Sequence, residues 1–179
     1  NCMAGETSEQ PLTGQVAIVT GGGRGIGRSI ALALAKAGAD VCVTARSTKQ
    51  LNEVVSEITE SGRRGLAVGC DVADRQAVES MIDRVIGEFG RIDILVNNAG
   101  GGLERTKVGD DDPDNWVMVV EINLFGTYYC SRAALPHLKA SGNGRIINIG
   151  SGMGHEARAT NSSYNVSKAG VWMLTRSMA

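Results

Sequence analysis

The chain has 179 residues, of which 42% are hydrophobic and 21% are charged, so it can bury a substantial core as one globular domain. Its formal net charge of -1 gives no electrostatic reason to expect nucleic acid or an anionic membrane as a partner. No apolar run reaches the length that a bilayer-spanning helix needs. The 24 glycines stand beside only 3 prolines, which indicates tight turns and close backbone approach rather than a disordered linker.

Short β-branched runs alternate with longer amphipathic stretches along most of the chain. Residues 1–11 are polar and lack the apolar region of a signal peptide, so we expect a flexible tail there. The periodicity then predicts strands at 16–20, 40–45, 65–70, 92–97 and 145–149, and helices at 25–37, 48–61, 74–89, 113–140 and 162–178. This order predicts a single α/β domain over 12–179, a Rossmann-type doubly wound parallel sheet flanked by helices.

The four cysteines lie far apart and show no metal-binding spacing; they are Cys2, Cys42, Cys70 and Cys130. Cys42 and Cys70 fall inside apolar strand-like runs, where a free cysteine acts as a small buried hydrophobe. We therefore expect no disulfide framework and no metal site. A reducing, cytoplasmic location fits this pattern best.

A glycine cluster follows the first predicted strand, in the order Thr20-Gly-Gly-Gly-Arg-Gly-Ile-Gly27. Glycines at this place permit a tight turn and let backbone N–H groups approach a pyrophosphate, whose charge the following helix N-terminus favours. A cluster of this kind alone is also compatible with a plain strand-to-helix turn. Between this strand and this helix it predicts nucleotide binding by Gly21, Arg24, Gly25, Ile26 and Gly27.

The end of the second strand bears on which nicotinamide cofactor would be used. Sites for NAD usually have a carboxylate about 20 residues past the glycines, which binds the ribose 2′-hydroxyl. Here the stretch 43–47 contains no acid but has Arg46, and Arg24 adds a second cation nearby. Guanidinium groups suit a 2′-phosphate, so we expect NADP(H) to be favoured over NAD(H). The alternative is that both arginines are solvated surface charges.

Polar and small residues follow the next two strands. Asp71 ends the third strand and is equally suited to accept a hydrogen bond from an adenine amino group or to cap the following turn. The stretch Asn97-Asn-Ala-Gly100 ends the fourth strand where a cofactor would pass, although it also has the composition of a turn.

Tyr164 and Lys168 lie one helical turn apart at the start of the last predicted helix, so they share one face. The ammonium group would stabilise a phenolate and so make Tyr164 a usable proton donor and acceptor near neutral pH. Alone, this pair is more typical of an exposed helix surface.

Two further polar residues belong to the same chemical end of the chain. Ser151 closes the fifth strand and is suited to orient a substrate carbonyl and stabilise its oxyanion, or else is a turn serine. Asn123 interrupts an apolar helical pattern, where asparagine is unfavourable. It would hold a water that connects Lys168 to solvent, or satisfy a local backbone group.

Together these motifs resemble those of the short-chain dehydrogenases/reductases. Residues 20–27 are similar to the TGxxxGIG loop of that family and residues 97–100 to its NNAG element, and its catalytic tetrad is matched in order and spacing by Asn123, Ser151, Tyr164 and Lys168. The resemblance implies an oxidoreductase that interconverts a ketone and a secondary alcohol by hydride transfer, as 3-oxoacyl-(acyl-carrier-protein) reductases do. The alternatives are an NAD(P)-dependent dehydrogenase of a sugar or another secondary alcohol, and a non-catalytic nucleotide-binding or oligomer-forming module.

The resemblance also implies a role for each site residue. Tyr164 is the implied proton donor and acceptor, and Ser151 the group that orients the carbonyl. Lys168 would bind the cofactor ribose, and Asn123 would anchor the proton relay. The implied contacts to adenine and to the cofactor ribose are Asp71, Val72, Asn98, Ala99 and Gly100.

In one large respect the chain departs from the family pattern. Relatives continue past the last predicted helix through a sixth strand, a substrate-covering lid and a seventh strand, so we expect a Rossmann sheet truncated after the fifth strand and its helix. Substrate identity is not readable, because the choice would fall to that lid and to segments 101–112 and 153–163. The helices at 113–140 and 162–178 carry apolar residues on more than one face, so they must be buried against another surface. Because relatives use the equivalent pair of helices for dimer contacts, the resemblance implies a homodimer or homotetramer.

Overall fold

The computed structural model describes residues 10–102 and 105–179. Residues 1–9 of the expected tail, with Cys2, lie outside the described residues. The strands are β1 (Val16–Thr20), β2 (Asp40–Ala45), β3 (Gly65–Gly69), β4 (Ile94–Asn97) and β5 (Arg145–Asn148). The helices are α1 (Gly25–Lys36), α2 (Thr48–Glu60), α3 (Arg75–Phe89), α4 (Pro113–Val120), α5 (Gly126–Ala140) and α6 (Ser162–Met178).

The five strands form one parallel sheet in the order β3-β2-β1-β4-β5. At its centre Ile18 pairs in register with Cys42 on one side and Leu95 on the other. All five residues of β1 are buried because the strand is covered on both faces, and its nearly continuous apolar run is typical of such strands. The chain order reverses between β1 and β4, and ligands bind in the crevice at such a switch point.

Helices cover both faces of the sheet and create two cores. On one face α1 and α2 contribute small and branched residues, including Ala31, Leu51 and Ile58. On the other face α3 and α5 contribute another set, including Val78, Met81 and Cys130. The predicted fold class, a doubly wound Rossmann-type sheet, is confirmed. No helix in the described part of the chain is long and apolar enough to cross a membrane.

The structure differs from the sequence-based elements mainly within 113–140. This range is helical throughout, but Glu121–Phe125 forms a π-helical segment between α4 and α5. Asp74 caps α3 by accepting hydrogen bonds from the N–H groups of Gln76 and Ala77. Ser47 stands at the N-cap of α2 but makes no capping hydrogen bond.

Cys42, Cys70 and Cys130 lie in the core as free thiols, and the apolar runs around Cys42 and Cys70 had indicated this for those two. Burial raises the pKa of Cys42 and of Cys130 to about 12. It raises the pKa of Cys70 to about 11. These thiols are inert at neutral pH, since the thiolate is the reactive form.

Candidate active site and cofactor cleft

A cleft of about 780 Å³ runs along the carboxyl edge of the sheet, from the loop after β2 to the start of α6. It is lined by every residue that the sequence assigned to cofactor binding. These residues are Gly21, Arg24, Gly25, Ile26, Gly27, Arg46, Asp71, Val72, Asn98, Ala99, Gly100, Tyr164 and Lys168. The topology brings them together because the carboxyl ends of parallel strands meet at one edge.

The glycine loop is fitted closely against the segment that follows β4. Gly21 has φ +64°, in the left-handed region that favours glycine. A Cβ atom at Gly27 would collide with the Gly21 carbonyl oxygen and with the amide of Asn98. Because no side chain separates these backbones, the N-terminus of α1 opens directly onto the cleft.

A hydrogen-bonded cluster around Thr20 ties β1 to β4 beneath this loop. The Thr20 hydroxyl is buried and accepts hydrogen bonds from the backbone N–H groups of Asn98 at 3.0 Å and Ala99 at 2.9 Å. In return the Asn98 side-chain amide donates to the Thr20 carbonyl at 2.9 Å. These bonds hold the floor of the cleft in one arrangement.

At the end of the cleft formed by the loop after β2, the side chains of Arg24 and Arg46 are exposed. Within the described ranges, neither guanidinium takes part in an ion pair. Of the described residues that line the cleft, Asp71 is the one acid. Its carboxylate accepts a hydrogen bond from the Ala73 N–H at 3.1 Å, so it caps the turn and lines the cleft at the same time. The turn-capping interpretation is therefore observed, and the contact to adenine stays a prediction.

Tyr164 and Lys168 stand at the opposite end, in the first two turns of α6. The Lys168 ammonium lies 5.6 Å from the centre of the Tyr164 ring and donates a hydrogen bond to the Ile149 carbonyl at 2.7 Å. Lys168 is only 6% exposed, and this burial lowers its pKa. The Ile149 carbonyl offsets part of that desolvation and fixes where the positive charge sits beside the phenol.

Asn123 is fully buried in the π-helical segment and hydrogen-bonds the backbone of two residues that line the cleft. Its amide nitrogen donates to the carbonyls of Gly101 and Val119, both at 2.8 Å. Its side-chain oxygen accepts from the Gly101 N–H at 3.1 Å. The bond to Val119 satisfies a local backbone group, which was one of the two interpretations of Asn123, whereas the bonds to Gly101 reach across 22 residues. Asn123 does not itself line the cleft. Its part in a proton relay stays a prediction.

Ser151 is half-buried just beyond β5 and does not belong to the cleft lining. Its hydroxyl accepts a hydrogen bond from the Met153 N–H at 3.2 Å and caps a short 3₁₀ turn, Gly152–Gly154. The turn packs on α6, since a Cβ at Gly154 would lie 2.8 Å from the Lys168 carbonyl carbon. The structure therefore shows Ser151 as a turn serine beside the site, and its catalytic role stays a prediction.

Sequence reasoning missed several residues that line the cleft. Most of them present backbone or apolar surface: Gly23, Ala45, Cys70, Gly101, Gly102, Val119, Ile122 and Ile149. Such residues carry no chemical signature in a sequence. Ser47 and Gln50 also line the cleft and have polar side chains. Their position beside Arg46 was the signal that could have identified them.

Comparison with known proteins identifies the family of this chain. The family model for short chain dehydrogenase matches residues 15–179. The chain is 40% identical over 165 residues to cis-4-hydroxycyclohexanecarboxylate dehydrogenase of Sinomonas cyclohexanicum, a match covering 92% of this chain and 66% of that protein. It is 40% identical over 173 residues to 3-oxoacyl-[acyl-carrier-protein] reductase of Synechocystis sp., covering 94% of this chain and 68% of that protein.

Solved structures of two oxidoreductases also superpose on this chain. A metagenomic short-chain oxidoreductase in complex with NADP superposes with a TM-score of 0.90 at 38% identity, covering 94% of this chain and 76% of that one. Carveol dehydrogenase from Mycobacterium avium, in complex with NAD, gives a TM-score of 0.91 at 31% identity, covering 94% of this chain and 66% of that one. The chain belongs to the short-chain dehydrogenase family, a family of oxidoreductases, and spans about two thirds of the length of the curated relatives described above.

Proposed function

We propose that the protein is an NADP(H)-dependent oxidoreductase that interconverts a ketone and a secondary alcohol. The observation that carries this proposal is the arrangement of one cleft. A glycine loop and two guanidinium groups free of ion pairs within the described residues line one part of it, and Tyr164 with the buried ammonium of Lys168 lies at the other end. The first part fits a phosphorylated dinucleotide and the second fits proton transfer.

The residues present fit a nicotinamide dinucleotide in charge and in shape. The closely packed contact of Gly27 with Gly21 leaves backbone N–H groups at the N-terminus of α1 to bind a pyrophosphate. Asp71 and Val72 would contact adenine, and Arg24 and Arg46 a 2′-phosphate. When bound, the reduced cofactor would supply the hydride for ketone reduction, and the oxidised cofactor would accept it for alcohol oxidation. Since solved relatives hold either NADP or NAD, the preference for NADP(H) rests on the two arginines.

In this proposal Tyr164 gives a proton to the substrate oxygen during reduction and takes it back during oxidation. Lys168 favours the phenolate through its charge at 5.6 Å from the ring centre and binds the cofactor ribose. Ser151 orients the carbonyl, which requires its hydroxyl to turn from the Met153 N–H towards the cleft. Asn123 holds the Gly101 backbone in place and anchors the proton relay.

The arginines are tested by measuring the Kd for NADPH and NADH in the whole protein. A charged hydrogen bond contributes about 1.5–3 kcal/mol, so Arg46→Ala should weaken NADPH binding roughly 10- to 100-fold and leave NADH binding unchanged. Arg75→Ala is the matched control, because Arg75 is an exposed arginine on α3, outside the cleft. Wild-type protein that binds NADH more tightly than NADPH would contradict the assignment.

The acid/base role is tested with Tyr164→Phe on a panel of ketones. We expect turnover to fall by at least about 100-fold while NADPH binding is retained, because only the proton donor is removed. Tyr128→Phe is the control, since Tyr128 lies on the exposed face of α5. Binding without any turnover in the wild type would favour the alternative of a non-catalytic module.

For the substrate we propose a 3-oxoacyl thioester, with a cyclic secondary alcohol as the second candidate. Each is supported by a relative that is 40% identical to this chain, one named as a 3-oxoacyl-[acyl-carrier-protein] reductase and the other as a cis-4-hydroxycyclohexanecarboxylate dehydrogenase. Turnover of an acetoacetyl thioester with NADPH would favour the first candidate. Oxidation of 4-hydroxycyclohexanecarboxylate without thioester reduction would favour the second.

We also propose a homodimer or homotetramer in a reducing, cytoplasmic location. Helices α4 to α5 expose a row of large apolar side chains, with Val117 50%, Phe125 43% and Tyr128 44% exposed. Exposed apolar patches of this kind mark association surfaces. Size-exclusion chromatography with light scattering of the whole protein should give a dimer or tetramer, and Tyr128→Glu should shift it towards monomer.

A further inference from the structure

The helix that carries Tyr164 begins without a side-chain cap. Asn161 occupies the N-cap of α6 but makes no capping hydrogen bond with its side chain. Tyr164 is the third residue of the helix, within the first turn, where backbone N–H groups lack helical partners and fraying begins. An acid/base residue in such a turn needs another source of rigidity.

A hydrogen bond from a second helix supplies that rigidity. The indole N–H of Trp116, in α4, donates to the hydroxyl of Ser162 at 2.8 Å. Ser162 is the first residue of α6, two positions before Tyr164. Trp116 is half-buried, so water competes only in part for this bond.

The helix that bears Trp116 is itself fixed to the cleft. Asn123 donates to the Val119 carbonyl at the end of α4 and binds the Gly101 backbone on the other side. Val119 is buried and lines the cleft. The bond from Trp116 to Ser162 therefore fixes the first turn of α6 relative to the cleft wall along which a substrate would lie.

We propose that Trp116 is a positioning residue for Tyr164, acting through Ser162. The inference deepens the proposed function and depends on it for its catalytic part. The indole N–H holds the first turn of α6 in place, so that the phenol keeps a fixed position relative to Lys168. Asn165 adds a second, weaker restraint in the same turn, because its side-chain amide donates to the exposed Arg158 carbonyl at 2.8 Å.

Two variants remove this bond from opposite sides. Trp116→Phe removes the indole N–H while keeping an aromatic ring, and Ser162→Ala removes the acceptor with almost no change in volume. Both should raise the amide hydrogen-exchange rate of Asn165, whose N–H bonds to the Asn161 carbonyl across the first turn, by about 5- to 10-fold. Because one bond is lost in either case, the double variant should exchange no faster than the single ones.

Turnover gives the second measurement. In the whole protein both variants should lower kcat about 3- to 10-fold, because a misplaced acid/base loses rate. The KM for NADPH should stay within a factor of about two, because Trp116 does not line the cofactor cleft. Trp172→Phe is the matched control for exchange: Trp172 lies later in α6 and contacts His155 and Arg176, so Asn165 exchange should stay at the wild-type rate.

Each outcome decides a separate claim. Unchanged Asn165 exchange in both variants would overturn the inference whatever happens to turnover. Faster exchange with an unchanged kcat would also overturn it, since the turn would then be held without consequence for Tyr164. Should the wild type reduce no ketone at all, the proposed function fails alone, and the exchange rates still decide whether Trp116 holds the turn.

Discussion

Replacement of Thr20 by valine removes one hydroxyl from the floor of the cleft and leaves the side-chain volume almost unchanged. The N–H groups of Asn98 and Ala99 lose their acceptor. An unsatisfied buried donor costs about 1–3 kcal/mol, and these two residues are only half-buried, so we expect a loss of roughly 2–3 kcal/mol in the free energy of unfolding. For a chain of this size that corresponds to a fall in Tm of about 5–10 °C.

Thr44 provides a matched control because it is the register partner of Thr20 in the sheet and is equally buried. Its hydroxyl donates to the Val68 carbonyl at 2.7 Å and leaves no backbone N–H unsatisfied when removed. We expect Thr44→Val to cost about 1 kcal/mol in a urea titration read by circular dichroism. NADPH binding should weaken in Thr20→Val and not in Thr44→Val. Equal losses of stability in the two variants would refute the reasoning about the orphaned N–H groups.

Two further predictions concern charge and packing. Burial alone would raise the pKa of Asp40, but hydrogen bonds from Arg64 and the charge of Arg63 outweigh it and hold the pKa below its ordinary value of 3.8. This stabilisation is present above pH 3.8 and is lost as the pH falls through the folded-state pKa. Asp40→Asn should therefore unfold more easily than wild type at pH 7, and the difference between their urea midpoints should shrink below pH 3.8; a constant difference would contradict the ion pair. Gly154→Ala should lower kcat for ketone reduction, because its Cβ would press on the α6 backbone at Lys168, whereas Gly142→Ala places a Cβ in open space, though at positive φ. A smaller effect on kcat at Gly154 than at Gly142 would show that the turn after Ser151 is not held against α6.

The cleft could be predicted because its signals are local and its geometry follows from the topology. Glycines after β1 and small or amide residues after β4 are visible in the sequence, and a parallel sheet brings them to one edge. The contacts of Asn123 could not be predicted, because they join residues that are distant in the chain. Asn123 reaches Gly101 across 22 residues, and no periodicity within 113–140 indicates that contact or the π-helical segment that accommodates it.

Ser151 shows a second reason why local reasoning stops short. Its place just after β5 puts Ser151 at the carboxyl edge of the sheet, the edge along which the cleft runs. Whether its hydroxyl faces the cleft or the Met153 N–H depends on the backbone of the next three residues, which form a 3₁₀ turn against α6. Glycine-containing loops are compatible with either direction, so the sequence leaves the orientation open.

The π-helical segment allows one continuous run of helix to contact the cleft through α4 and to pack in the core through α5. Before this segment Val119 lines the cleft, and after it Cys130 and Ala134 belong to the core packed on the sheet. The wider turn of a π-helix amounts to one inserted residue. Deletion of a single residue in this segment would rotate α5 by about 100° relative to α4. Either the residues of α5 that pack in the core or the residues of α4 that line the cleft would then point away from it. The length of this short stretch is therefore under tighter constraint than most of its side chains.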